Sequence, residues 1–102
     1  MRTDAELIQE YAETKRESAF QELVERHLNL VYSTALRLVG GDAHLALDVA
    51  QSVFSDLTRK AKELHPRLRE KAEVLSGWLY RGTRFAAIRG QVFAASPVSW
   101  HW

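Results

Sequence analysis

Trp78, Tyr80, Arg81, Arg84 and Phe85 put three aromatic rings and two guanidiniums within eight residues. Guanidiniums neutralise phosphates, and aromatic faces accept unstacked bases at about 1–3 kcal/mol per base. The cluster is therefore a candidate nucleic-acid surface. The competing reading makes Trp78 and Phe85 core residues and the arginines ordinary solvated cations. A second constellation, Asp48, Gln51, Ser52 and Ser55, recurs at helical spacing without charge pairing of its own. Such a strip suits a protein partner that reads directional hydrogen bonds, although an ordinary solvent face has the same spacing.

Bond-making chemistry has little to stand on. His27, His44, His65 and His101 are scattered, none lies in an HExxH pattern, and no carboxylate pair accompanies them. There is no GxxxxGK[ST] or GxGxxG loop for a nucleotide, and with no cysteine there is neither thiol chemistry nor a disulfide. An enzyme is not expected, no metal is expected and no cofactor is implied. The lack of cysteine fits a reducing compartment. The first ten residues carry four charged side chains and no apolar run, unlike a signal peptide, and no stretch approaches the ~20 apolar residues of a membrane span. A cytoplasmic protein without membrane association is expected.

These clusters sit in a chain of 102 residues, 46% apolar and 26% charged, enough for one small domain. The net charge of +1 conceals a strong asymmetry. Residues 1–58 hold five basic and ten acidic side chains, a net −5, whereas residues 59–102 hold nine and three, a net +6. One surface is thereby suited to a polyanion and another to something different.

The apolar spacing predicts helices almost throughout. Thr3 with Glu6 forms a capping-box pattern for a first helix ending near Thr14, and Ser18 with Gln21 suggests another. The second helix carries Phe20, Leu23, Val24, His27, Val31, Ala35 and Leu38 on one face and stops at Gly40-Gly41. Asp42 caps a third, with Leu45, Ala46, Val49, Ala50, Val53, Phe54, Leu57 and Ala61 inward and the Asp48–Ser55 strip outward. Pro66 is expected to break the periodicity, leaving a basic loop over 64–75 that includes Arg67, Arg69 and Lys71. Ser76 and Gly77 open a fourth helix from 78 to about 90, with Leu79, Gly82, Thr83 and Ala86 on one face and Arg81, Arg84 and Ile88 on the other. Residues 91–102 change character and read as a loosely attached tail. The expected fold is an all-α bundle of about four helices, the second and third antiparallel and the fourth across them.

The run SAFQELVERHLNLVYSTALRLVGGDAHLALDVAQSVFSDL, followed by LSGWLYRGTRFAAIR, resembles region 2 of the extracytoplasmic-function (ECF) sigma factors of bacterial RNA polymerase. The likeness spans about residues 4–89. It implies that Asp48, Gln51, Ser52 and Ser55 dock on the clamp helices of the largest subunit of core RNA polymerase. It also implies that residues 62–76, with Lys62, Arg67, Arg69, Lys71 and Ser76, form a pocket for an extruded base of the promoter minus-ten element. Arg81, Arg84 and Arg89 would then follow the strand's backbone, and Trp78, Tyr80 and Phe85 complete the expected DNA-binding set. An anti-sigma factor is a further implied partner. An alternative is a degenerate or truncated sigma domain that binds an anti-sigma factor or polymerase without productive promoter recognition.

Two departures stand out. Such proteins usually carry glutamate after the glutamine of DVAQ, and Ser52 here removes a charge from the implied polymerase contact. After the last helix they continue with arginines, a linker and region 4, where this sequence has GQVFAASPVSWHW. The expected organisation is a region 2-like domain over 1–90, a divergent tail over 91–102 and no region 4.

Overall fold

The computed structural model describes residues 2–71 and 73–94, with backbone alone from 90 to 94. Four helices occupy nearly all of it, α1 (Asp4–Thr14), α2 (Glu17–Leu38), α3 (Ala43–Arg69) and α4 (Leu75–Ala94), and no strand occurs among the described residues. The all-α expectation holds. No helix there is long and apolar enough to cross a membrane.

The first cap forms as its sequence requires. The Glu6 amide donates to Thr3 Oγ1 at 3.1 Å and the Thr3 amide donates to Glu6 Oε1 at 2.8 Å, so two otherwise orphaned amides are satisfied. Those bonds to Thr3 hold the Glu6 carboxyl below the usual range. The second capping box does not form. Lys15 turns left-handed at φ 57°, Arg16 is the extended residue before α2, and Ser18 already lies inside the helix. With only Lys15 and Arg16 linking the helices, α2 must start at Glu17 to lay Ala19 and Phe20 against α1, where the Phe20 ring sits 5.0 Å from that of Tyr11.

Gly40 and Gly41, both at positive φ, reverse the chain after α2, and Asp42 then accepts from the Leu45 amide at 3.1 Å. The turn and cap match expectation. The break at Pro66 does not, because α3 continues through it to Arg69. An internal proline costs about 3 kcal/mol, and the residue before it is pushed away from helical torsions. Leu64 and Leu68 are both buried, continuing the inward stripe of Val53, Leu57 and Ala61. Two leucines at about 1.5–3 kcal/mol each match or exceed that cost. Helix α3 is thus 27 residues long, about 40 Å at 1.5 Å per residue, which equals the 40 Å long dimension of the molecule.

Helix α3 is the shared scaffold, touching α1, α2 and α4. Leu7 and Ile8 of α1, Leu23 and Val31 of α2, Val53 and Leu57 of α3, and Leu79 and Thr83 of α4 are fully buried. Thr83 is tolerated there because its hydroxyl donates to the Leu79 carbonyl at 2.7 Å. A Cβ at Gly82 would stand 3.8 Å from Val53, so α4 approaches α3 closely at that level. Helix α4 starts at Leu75, ahead of the expected start at 78, and its backbone runs to Ala94, four residues into the expected tail. The remaining tail residues, 95–102, lie outside the described residues.

Candidate functional site: two faces of one helical scaffold

The α2–α3 side carries an apolar groove of about 480 Å³ lined by Phe20, Val24 and Leu28 from α2 and by Leu47, Ala50 and Phe54 from α3. Gln51, Ser55 and Thr58 supply its polar lip. Leu28 and Leu47 are 42% and 52% exposed, so the groove presents hydrocarbon to solvent. Of the four strip residues, Gln51 and Ser55 border the groove, while Asp48 and Ser52 lie half-buried further round α3. Sequence reasoning did not single out Leu28 or Leu47. The available signal was Leu47 itself, an apolar residue beside Asp48 and Gln51 on the polar side of its helix.

A second surface joins the C-terminal end of α3, the connection after it and α4. Phe85 is 63% exposed and Tyr80 41%, so both side chains are open to solvent. Trp78 instead packs partly buried against the core. Arg84 is exposed and unpaired among the described residues, as are Lys62, Arg69 and Lys71. The Arg89 guanidinium lies 5.6 Å from the centroid of the Phe85 ring, a cation–π arrangement. Ser76 is half-buried in the first turn of α4.

Arg67 and Arg81 meet on a residue the charge pattern hid. Glu73 Oε1 accepts from Arg81 Nη2 at 2.8 Å and Oε2 accepts from Arg67 Nη2 at 3.0 Å. The Arg81 hydrogen bond, aided by its charge, the Val74 amide and Arg67, holds the Glu73 carboxyl below the usual range. The connection also differs from the expected basic loop over 64–75. It is confined to the residues between Arg69 and Leu75, with Lys71 left-handed at φ 58° and its amide donating to the Leu68 carbonyl at 3.2 Å. Lys62, Arg67 and Arg69 therefore project from a helix, and of the expected loop cations only Lys71 lies in the connection.

No group of three or more His, Asp or Glu side chains positioned to hold a metal occurs among the described residues. His27 is committed to Asp4, with Nε2 3.0 Å from the carboxylate, in a contact that ties α2 to α1.

The family model described as Sigma-70 region 2 matches residues 23–91. The chain belongs to the sigma-70 region 2 family. Region 2 of sigma factors binds core RNA polymerase and melts promoter DNA, and it does so without enzymatic chemistry. The match begins inside α2, so α1 lies outside it, whereas the sequence resemblance starts at about residue 4. It includes all of α3 and most of α4, and thus every residue named on the two faces of this region 2 domain except Phe20. The chain has no match among curated proteins or solved structures.

Proposed function

We propose that residues 1–90 act as an ECF-type sigma region 2 in the cytoplasm, docking on core RNA polymerase by the α2–α3 groove and holding the melted minus-ten element on the α3–α4 side. The observation that carries the DNA half is the outer face of α4, where exposed Tyr80 and Phe85 alternate with unpaired Arg84. Core packing does not account for a phenylalanine nearly two-thirds exposed beside unneutralised charge.

No covalent bond is made or broken in this mechanism. Extruding a base costs a few kcal/mol, and stacking on an aromatic face returns about 1–3 kcal/mol per base. Phosphate contacts from Lys62, Arg69, Lys71 and Arg84 supply further, sequence-independent attraction. The separated strand is thereby held open because the protein offers it better contacts than its duplex partner does. On the other face, Leu28 and Leu47 supply apolar area, while Asp48, Gln51, Ser52 and Ser55 set the register of the polymerase helix. An anti-sigma factor would compete for the same groove.

The groove also favours a second reading, a protein-interaction module that lacks productive DNA capture. Ionic strength separates the two. Binding of labelled minus-ten single strand should weaken steeply from 50 to 200 mM salt, whereas polymerase capture through the groove should change little. Strand binding that is absent at low salt in a folded protein would leave the second reading standing alone.

A further inference from the structure

We propose that Arg67 and Arg81 form a clamp for one phosphate group and that Glu73 closes it in the free protein by occupying the phosphate position with its own carboxylate. The proposal deepens the strand-binding reading and rests on it for the identity of the phosphate as part of a nucleic-acid backbone.

The geometry is that of an anion site already filled. Two guanidiniums from different helices converge on the two oxygens of one carboxylate, at 2.8 Å and 3.0 Å. The nonbridging oxygens of a phosphodiester offer arginine a similar bite. The Glu73 side chain is only 10% exposed, whereas those of Arg67 and Arg81 are 57% and 61% exposed. The carboxylate is thus largely covered while both cations that hold it remain open to solvent, from which a nucleic-acid strand would arrive.

Glu73 is held in place by more than charge. Its amide donates to the Arg67 carbonyl at 3.2 Å, so the residue is tied to the end of α3 through both backbone and side chain. Arg81 folds back over the first turn of α4, where a Cβ at Gly77 would lie 3.5 Å from Arg81 Nη1. The carboxylate therefore joins α3 to α4 across the connection. Two cations on one carboxylate leave a residual positive charge, and Arg69, Lys71 and Arg84 stand within four residues of the pair without partners of their own. Ion pairs with exposed partners add little net stability, so exchanging carboxylate for phosphate is a small rearrangement. An incoming strand would take the guanidiniums and release the Glu73 side chain.

The test compares wild type with Glu73→Gln, both verified as helical by circular dichroism, using two probes. The first is inorganic phosphate, followed by the arginine Nε–Hε signals in NMR. Glu73→Gln should show saturable, concerted shifts of Arg67 and Arg81, and wild type should need about tenfold more phosphate, as expected when a charge-assisted contact must be displaced. The second is labelled oligothymidine. Glu73→Gln should bind it more tightly, with a log–log salt slope steeper by about 0.7 for one additional phosphate, and adding Arg67→Ala and Arg81→Ala should abolish the gain.

Folded Glu73→Gln with no saturable shift at Arg67 and Arg81 would overturn the clamp and leave Glu73 as a staple between helices. Oligothymidine binding that is identical in affinity and slope for both proteins would also overturn it. Phosphate binding at both arginines with no oligothymidine binding by any variant would support the clamp and remove the strand-binding reading instead.

Discussion

The middle of α3 and its C-terminal end face solvent with opposite deficits. Between Leu47 and Thr58 the groove side has hydrocarbon without a cover, bordered by Gln51 and Ser55. Around Arg67, and across the connection on α4, the surface instead has cations in excess of carboxylates and aromatic rings that no core receives. An apolar groove matches a folded protein surface, whose own hydrocarbon can fill it. A cationic and aromatic surface matches an anionic chain with unstacked rings. The same helix supports both because one face of it, from Ala46 to Leu68, is buried continuously. The difference between the regions lies in the other faces.

Breaking the shared face should abolish the distinction altogether. Leu57→Ala removes a fully buried side chain where α3 packs in the core and should cost about 2–5 kcal/mol. Against a typical total of about 5–15 kcal/mol, this should lower the thermal midpoint sharply and weaken polymerase and DNA binding together. Loss of one activity alone would show that the faces are supported separately.

The next largest effect should fall on one face. Arg84→Ala with Phe85→Ala should keep thermal stability within about 0.5 kcal/mol per substitution, since both side chains are exposed, while single-strand binding falls by about 1–3 kcal/mol from stacking alone. Its salt slope should shrink by about 0.7. Anisotropy with a labelled strand measures both quantities, and polymerase affinity measured in parallel should not move. A smaller, complementary change is expected for Leu47→Glu, which places a charge in the groove mouth. Polymerase capture should weaken by at least about 1 kcal/mol, the usual threshold for an interface residue that matters, with strand binding preserved.

The smallest effect concerns pH. Glu73 has a depressed folded-state pKa, so its contribution to stability is fully present above the ordinary carboxylate range and is lost as pH falls through the depressed value. Urea midpoints of wild type and Glu73→Gln should differ by a constant amount near neutrality, and the difference should shrink in acid. A gap that widens on acidification would show that Arg81 does not stabilise the ionised carboxylate.

What was legible in the sequence were features whose causes are local. Thr3 with Glu6, Gly40-Gly41 and Asp42 act within one turn, and each behaves as its residue type dictates. Pro66 and Ser18 misled for the same reason in reverse. Their local preferences are outweighed by partners distant in sequence, the core that receives Leu64 and Leu68 in one case and the α1 surface that receives Ala19 and Phe20 in the other. The charge split could be read as a surface because arginines every three or four residues cannot all be buried, but the aromatics could not be sorted, since Phe85 stays exposed while Trp78 packs against the core. Glu73 could not be assigned from composition, since one acid in a basic segment looks like noise until two helices bring Arg67 and Arg81 onto it. The groove was hidden because Phe20 and Val24 read equally well as core.

The most direct test of the two-face account is fluorescence anisotropy of the labelled chain on core RNA polymerase, followed by titration of that complex with minus-ten single strands of matched and scrambled sequence. The account predicts saturable polymerase binding and selective capture of the matched strand by the complex. A folded, helical protein that shows no polymerase binding, or a complex that does not distinguish the strands, would contradict it.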